Sequence, residues 1–305
     1  AVPGLRPSEY FTLLLPYIVS GILLCLLRGN GWYAIAASIP FVLFVYRKWL
    51  KVMIPVHLII LALVLFVKYP VMYVYAIPQA DFTESLSVPL QQIARVIANG
   101  DALSESETAF LSQMMDMEQA ATAYQPDVSD NIKNLIRQKD SGFPASHKSE
   151  FFRTWLSIGT AHPKAYFDAY VAQTNGFWYP DIRCEVGLAD GIYPNEFGLS
   201  WHPLIRGPVI VKIKEILFKL PDMVPLYGLL WSTGFILWVI LLIAALCLRQ
   251  GSSAGTLVCL PFILLIATLC VSTPVATEFR YAYAAFFALP LLILSPFVSD
   301  KNGSR

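Results

Sequence analysis

VPLYGLLWSTGFILWVILLIAALCL, residues 224–248, contains no charged side chain. A helix needs about 20 mostly apolar residues to cross the hydrocarbon core of a bilayer. This run has that length, and its continuous apolar character rejects the core helix of a soluble domain. Outward from it, apolar runs recur at residues 11–27, 32–46, 52–67, 255–272 and 283–298. The runs 11–27, 52–67 and 255–272 reach spanning length directly or with their flanks. Residues 32–46 and 283–298 are shorter, and Trp32, Tyr33, Tyr281 and Tyr283 extend them toward the interfaces, where aromatic rings settle. For 32–46 a soluble core helix stays open as the alternative.

Composition agrees. Of 305 residues, 56% are hydrophobic and 14% charged, with a net charge of +1. Soluble domains average about 25% charged residues, so an ordinary soluble enzyme is disfavoured, and the apolar content excludes a disordered or collagenous chain. The small net charge hides a separation. Residues 80–222 hold 18 acidic and 12 basic residues, a net of −6, while the remainder holds 3 acidic and 10 basic, a net of +7. That split suggests membrane topology and offers no basic face for nucleic acid. Of five cysteines, Cys25, Cys247, Cys259 and Cys270 lie in apolar runs and Cys184 stands alone in the polar middle. They read as small buried groups, without zinc-site spacing.

Lysine and arginine orient the runs. Arg47, Lys48 and Lys51 lie between the second and third, Arg249 follows the fourth, and Lys301 and Arg305 follow the sixth. If each run spans once, all fall on one side, which the positive-inside rule makes cytoplasmic. The expected architecture is an all-α polytopic membrane bundle of about six spans with both termini cytoplasmic. Residues 1–79 form the first three spans, 80–222 a large, mainly helical extracytoplasmic insert, and 223–305 the last three spans.

Within the insert, Ser87, Pro89, Leu90, Ile93, Ala94 and Ile97 start one helix. Ser104 and Glu107 make a capping box ahead of Phe110, Leu111 and Met114. Ser129 or Asp130 caps a third segment through Ile136. Residues 149–158 and 164–175 form two more helices, divided by Gly159 and His162-Pro163, with Gly176 as a stop. Residues 177–207 read as irregular loop. In 208–221, Ile210, Ile213, Leu217 and Leu220 make one apolar stripe, with Lys212, Lys214 and Lys219 elsewhere. Two readings of this short amphipathic helix stand open: it lies along the outer membrane surface, or it packs on the insert's own core.

His57, His147, His162 and His202 lie far apart, without an HExxH spacing, so the residues do not support a metal site; there is no GxSxG, no phosphate-binding Gly-rich loop and no Rossmann fingerprint, and the residues name no cofactor. Three places could carry chemistry. Gln91 and Arg95 share a helix face, with Gln92 beside them, and a guanidinium next to an amide can grip a phosphate or a sugar hydroxyl; a solvated helix face is the plainer account. Asn175–Asp181 is dense in aromatics, including Trp178 and Tyr179, which can stack on a sugar or anchor at an interface, with Trp155 and Tyr166 as packing partners. Glu278, Arg280 and Tyr281 occupy the outer loop before the last span, where an arginine can meet a lipid phosphate, bridge to Glu278 or snorkel.

Taken together, SLSVPLQQIAR at 85–95, WLSIGTAHPKAYFDAYVAQTNGFWYPD at 155–181, STPVATEFRYAYAAFFALP at 272–290 and LRGNGWYAIAASIPF at 27–41 resemble a large, mostly uncharacterised family of bacterial multi-pass membrane proteins. That family is usually described as glycosyltransferase-like, of the GT-C class, which moves a sugar from a polyprenyl-phosphate donor to an acceptor outside the cytoplasm. The class typically uses an acidic residue in its first outer loop. Here that loop is Arg28-Gly29-Asn30-Gly31, without a carboxylate. The resemblance therefore implies the C-terminal part of such a protein, with the catalytic acid upstream of Ala1. It implies that Arg280, aided by Tyr281, pairs with the donor phosphate. It further implies that Gln92 and Arg95 contact the sugar or phosphate, and that Trp178 and Tyr179 support the cavity. The implied partners are the lipid bilayer, a polyprenyl-phosphate sugar and a cell-envelope acceptor. The competing expectations are a non-catalytic receptor or cell-envelope assembly protein and, with few charges inside the spans to support it, a transporter.

Overall fold

Each apolar run becomes a helix. The computed structural model describes residues 7–27, 31–77, 81–184, 192, 195–200, 207–224, 226–272, 275–276 and 278–297. Arg28–Asn30, about half of the stretch read as irregular loop (185–191, 193–194 and 201–206, with His202), and the terminal charges Lys301 and Arg305 lie outside the described residues. The first group comprises α1 (Pro7–Leu27), α2 (Gly31–Val45), α3 (Leu50–Phe66) and α4 (Met72–Val74). Between α3 and α4 the helix widens into a π turn, Val67–Val71, where Pro70 has no N–H to give to the ladder. The insert supplies α5 (Ser87–Asn99), α6 (Glu105–Met114), α7 (Met117–Ala123), α8 (Asp130–Asp140), α9 (Phe143–Ser146), α10 (Lys148–Ala161), α11 (Pro163–Trp178) and α12 (Pro208–Met223). The chain closes with α13 (Thr233–Arg249), α14 (Ser253–Ser272) and α15 (Tyr283–Leu294). Among the described residues there is no strand, only the isolated bridges Gln125–Val128 and Val128–Val275. The fold is all-α.

Two helical segments, Arg47–Val74 and Ser253–Ser272, are long and apolar enough to cross a membrane; only 22% and 28% of their most apolar windows are buried within the molecule. The other apolar helical segments, Leu14–Leu27, Gly31–Val45, Thr233–Arg249 and Tyr283–Phe297, run 10–17 residues. The run at 224–248 is divided: Leu226 takes a left-handed φ of 67°, a 3₁₀ turn follows at Tyr227–Trp231, and Ser232 caps α13 by accepting from the Phe235 N–H at 3.2 Å. A hydroxyl poised to accept an orphan N–H starts the helix later than hydropathy alone suggests.

α1 packs on α2 and α3, around Cys25, Val56, Ile60 and Val64. His57 lies buried in this group: its Nδ1 meets the Met53 carbonyl at 2.7 Å and its Nε2 meets the Tyr17 hydroxyl at 2.9 Å, tying α3 to α1. α2 packs on α14, joining the first group to α13–α15.

In the insert, α5 is the central helix and α7, α8, α10 and α11 pack around it. Its buried Leu90, Ile93, Ala94 and Val96 share a core with Leu111, Met114, Ile132, Ile136, Phe151 and Ile158. The Ser104 capping box forms: the Ser104 N–H donates to Glu107 at 2.8 Å and the Glu107 N–H donates to the serine hydroxyl at 3.3 Å. Three expectations need correction. Ser129 precedes α8 without capping it through its side chain. Gly159 lies inside α10, where a Cβ would come within 2.7 Å of the Tyr166 ring, so it serves close packing. Gly176 lies inside α11, which continues to Trp178; a Cβ there would stand 3.0 Å from the Ala276 Cβ.

Across from this core, Lys133 is buried and pairs with Glu84 at 2.8 Å and Asp130 at 3.3 Å; Arg137 pairs with Asp81 at 3.1 Å and with Glu84. α12 buries none of its residues, so it does not pack on the insert's own core.

Candidate functional site

α11 carries the insert onto the ends of the apolar helices. It touches α13 and α14, and at its end Phe177 is buried with Ile266, Leu269 and Ala276, flanked by Leu237 and Tyr281. Two glycines permit the approach: Gly176 against Ala276, and Gly234 at the start of α13, where a Cβ would collide with the Tyr179 carbonyl. The Val128–Val275 bridge joins the loop after α7 to the segment that follows α14. These contacts define a seam between insert and apolar helices.

Trp178 and Tyr179 stand on that seam. They are exposed and meet edge to face with ring centroids 6.3 Å apart. The Trp178 indole N–H donates to the Thr174 hydroxyl at 3.3 Å, and the Trp178 carbonyl accepts from the Trp238 indole at 2.9 Å. Arg280 and Tyr281 lie in the 3₁₀ turn Phe279–Tyr281. Phe279 anchors the turn, with its ring 5.1 Å from Trp231 and 5.5 Å from Phe286. The Arg280 side chain is 64% exposed, bridged to Glu278, with its guanidinium carbon 5.2 Å from the Tyr281 ring centre. The seam thus brings the aromatic pair and the arginine turn to one region, through Phe177, Ala276 and Tyr281.

The glutamines and Arg95 are placed differently. Gln92 is engaged at both ends of its amide: the carbonyl accepts from the Trp155 indole at 2.8 Å, and the NH₂ donates to the Tyr166 carbonyl at 3.3 Å. It locks α10 and α11 to α5. Gln91 is fully buried and donates to the Gln125 carbonyl at 2.6 Å. Arg95, one turn on, faces Tyr124 with its guanidinium carbon 5.8 Å from the ring centre. Burial raises the Tyr124 hydroxyl pKa against the opposing pull of the Arg95 charge. Arg95 Nε and Gln91 Oε1 are buried polar atoms without a hydrogen-bond partner among the described residues.

Tyr124 escaped the sequence reading, since it lies between short helices with no periodicity to mark it. An apolar cleft of about 670 Å³, lined by Tyr69, Pro70, Met72, Tyr73, Ala76 and Ile77, also lies outside the residues singled out from sequence. Among the described residues, no three His, Cys, Asp or Glu side chains come together as a metal site.

The architecture defines a class: an all-helical protein with helices long and apolar enough to cross a membrane and a helical insert docked on their ends. The chain belongs to the family described as a family of unknown function (DUF6020), whose model matches residues 8–304. No curated protein and no solved structure matches it.

Proposed function

We propose that the chain is a multi-pass membrane protein of about six spans, with both termini cytoplasmic and residues 80–222 outside, whose seam binds the phosphate of a polyprenyl-phosphate sugar in a glycosyltransferase-like role. The membrane part is supported by apolar side chains on uncovered helix faces, among them Leu58 at 59%, Leu242 at 60% and Leu291 at 67% exposed. A face of this kind suits an apolar solvent. Trp32 and Lys68, whose ammonium lies 5.9 Å from the indole centre, fit an interfacial level at the ends of α2 and α3.

The observation that carries the ligand reading is Arg280. Its guanidinium is well exposed, on a turn fixed by buried Phe279, and shares the seam with Trp178 and Tyr179. A guanidinium suits a phosphate leaving group through paired N–H donors, and exposed aromatic faces suit a sugar ring. Arg95 adds a second cation at the insert end of the structure. Gln92 contributes by fixing α10 and α11, because its amide is already engaged. The full chain in nanodiscs tests the proposal by direct binding of a polyprenyl-phosphate sugar and by sugar transfer from it. Arg280→Ala should weaken donor binding at least about tenfold, the loss expected for a charge-assisted pair of about 1.5 kcal/mol. Unchanged binding and transfer would overturn it.

A second reading, a non-catalytic receptor or envelope assembly protein, draws on the insert having a core of its own, with Gln92 used up inside it. That reading expects donor binding without transfer, or no donor binding at all.

A further inference from the structure

α12 is apolar where nothing among the described residues covers it. Val209, Ile213, Ile216, Leu217 and Met223 are all exposed, Val209 to 68% and Met223 to 69%. At about 100° per residue they fall on one side of the helix with Ile210 and Leu220, while Lys212, Glu215, Lys219 and Asp222 fall on the other together with Val211 and Phe218, and Lys214 lies between. The helix is tethered at its C-terminal end. Arg183 donates to the Pro221 carbonyl at 3.0 Å and lies 3.5 Å from an Asp222 carboxylate oxygen. Its guanidinium packs flat against Gly228, where a Cβ would stand 2.7 Å away. From Met223 the chain runs through the turn Tyr227–Trp231 into α13.

We infer that α12 is an interfacial anchor, lying in the headgroup layer of the bilayer with its apolar face toward the acyl chains. The inference rests on the membrane-spanning reading of α13. The occupant is lipid because the apolar face is continuous with a helix whose own outer side chains, Trp238 and Leu242, are exposed at 54% and 60%. A bilayer covering those residues begins at the level of the turn that α12 adjoins. Amphipathic helices of this kind bury their apolar face at the boundary between headgroups and acyl chains, with lysines reaching up to water. Charge is secondary: three lysines against Glu215 and Asp222 leave the helix at net +1. The apolar face, not attraction to anionic lipid, sets the depth. The Arg183 tether fixes where α12 leaves the insert, so the helix holds the insert at a set height above the bilayer.

The test is spin labelling of the full chain in phosphatidylcholine vesicles. Single cysteines are placed at Ile213 and Leu217 on the apolar face, at Lys212 and Glu215 on the polar face, and at Leu58 and Leu242 as span controls. Cys25, Cys184, Cys247 and Cys259 are buried, but Cys270 is half-buried, so the labels are placed in a Cys270→Ala background and that chain serves as the labelling blank. Ile213 and Leu217 labels should collide with oxygen several-fold more than with a water-soluble nickel chelate, and Lys212 and Glu215 labels the reverse. Adding anionic phosphatidylglycerol should change this little. Equal nickel access on both faces, with the Leu58 and Leu242 controls still oxygen-rich, overturns the anchor and leaves the membrane reading standing. Nickel access at the controls as well overturns both. Dipolar broadening between Ile213 labels on separate chains shows a second copy covering the face and also overturns the anchor.

Discussion

Removing Glu84 should weaken the insert more than removing the lysine it serves. The Lys133 side chain is 0% exposed, whereas its partners Glu84 and Asp130 are 48% and 49% exposed. Lys133→Met keeps much of the buried volume and deletes the ammonium, and both carboxylates can then turn to water. It loses two half-exposed ion pairs worth at most ~1 kcal/mol each and relieves the desolvation of a buried cation, an effect of several kcal/mol. We expect a net change within about 1 kcal/mol of zero. Glu84→Gln instead leaves the ammonium buried with Asp130 alone and takes a carboxylate from Arg137. Breaking a buried pair from one side costs about 3–5 kcal/mol. Because Glu84 is half exposed and Asp130 remains, about 2 kcal/mol is the reasonable figure here. Hydrogen exchange of α8 in the full chain reads this directly. At about 1.4 kcal/mol per tenfold, Glu84→Gln should speed exchange about 30-fold and Lys133→Met by less than about tenfold. If Lys133→Met loosens α8 as much as Glu84→Gln or more, the buried ammonium is not the costly member and the reasoning fails.

The same network should respond to acid. Burial pushes the Asp81 and Glu84 carboxyls up, but hydrogen bonds from Thr83 and Arg137 to Asp81, and from Lys133 and Arg137 to Glu84, bring both below their ordinary values. The unfolded chain therefore binds protons first, so this stability is complete above the ordinary carboxylate range and is lost as pH falls through the folded values. Exchange protection of α5 and α8 should be flat near neutrality and decline on acidification, and a decline on the alkaline side would contradict the assignment. Gly176→Val drives a branched side chain into Ala276, whose carbonyl oxygen would be 3.1 Å from the added Cβ. A cost of about 1–3 kcal/mol should appear as proteolytic release of the insert from the seam, with the insert's own exchange pattern unchanged. Ser104→Ala removes the acceptor for the Glu107 N–H and should cost about 1 kcal/mol, seen as faster exchange in the first turn of α6 only.

Much of the architecture was legible because its signals are local. Residues 224–248 and the five other apolar runs marked six helices through the absence of charge, and Ser104 with Glu107 marked the start of α6 through a four-residue pattern. α7 and α9 were not legible, because helices of seven and four residues carry too little periodicity to stand out. Gly159 and Gly176 were misread as punctuation for the same reason: a glycine in isolation looks like a stop, and only the Tyr166 ring and Ala276 show that each makes room for a neighbour.

The candidate site divides along the same line. Arg280, Tyr281, Trp178 and Tyr179 could be picked out as polar or aromatic groups near the ends of apolar runs. That they share one seam depends on Phe177 packing against Ala276, residues about a hundred positions apart in the chain. Gln91, Gln92 and Arg95 lie on one helix, and helical spacing alone made them look like one ligand-gripping face. Packing separated their roles: Gln92 is engaged by Trp155 and Tyr166, Gln91 by Gln125, and Arg95 faces Tyr124. Composition and spacing by themselves determined that the chain is helical and apolar, with a polar insert, because hydropathy and capping act within a few residues. Which side chains are consumed in the core and which reach the seam was decided by tertiary structure alone, because hydrogen-bond saturation and close approach depend on partners from distant segments.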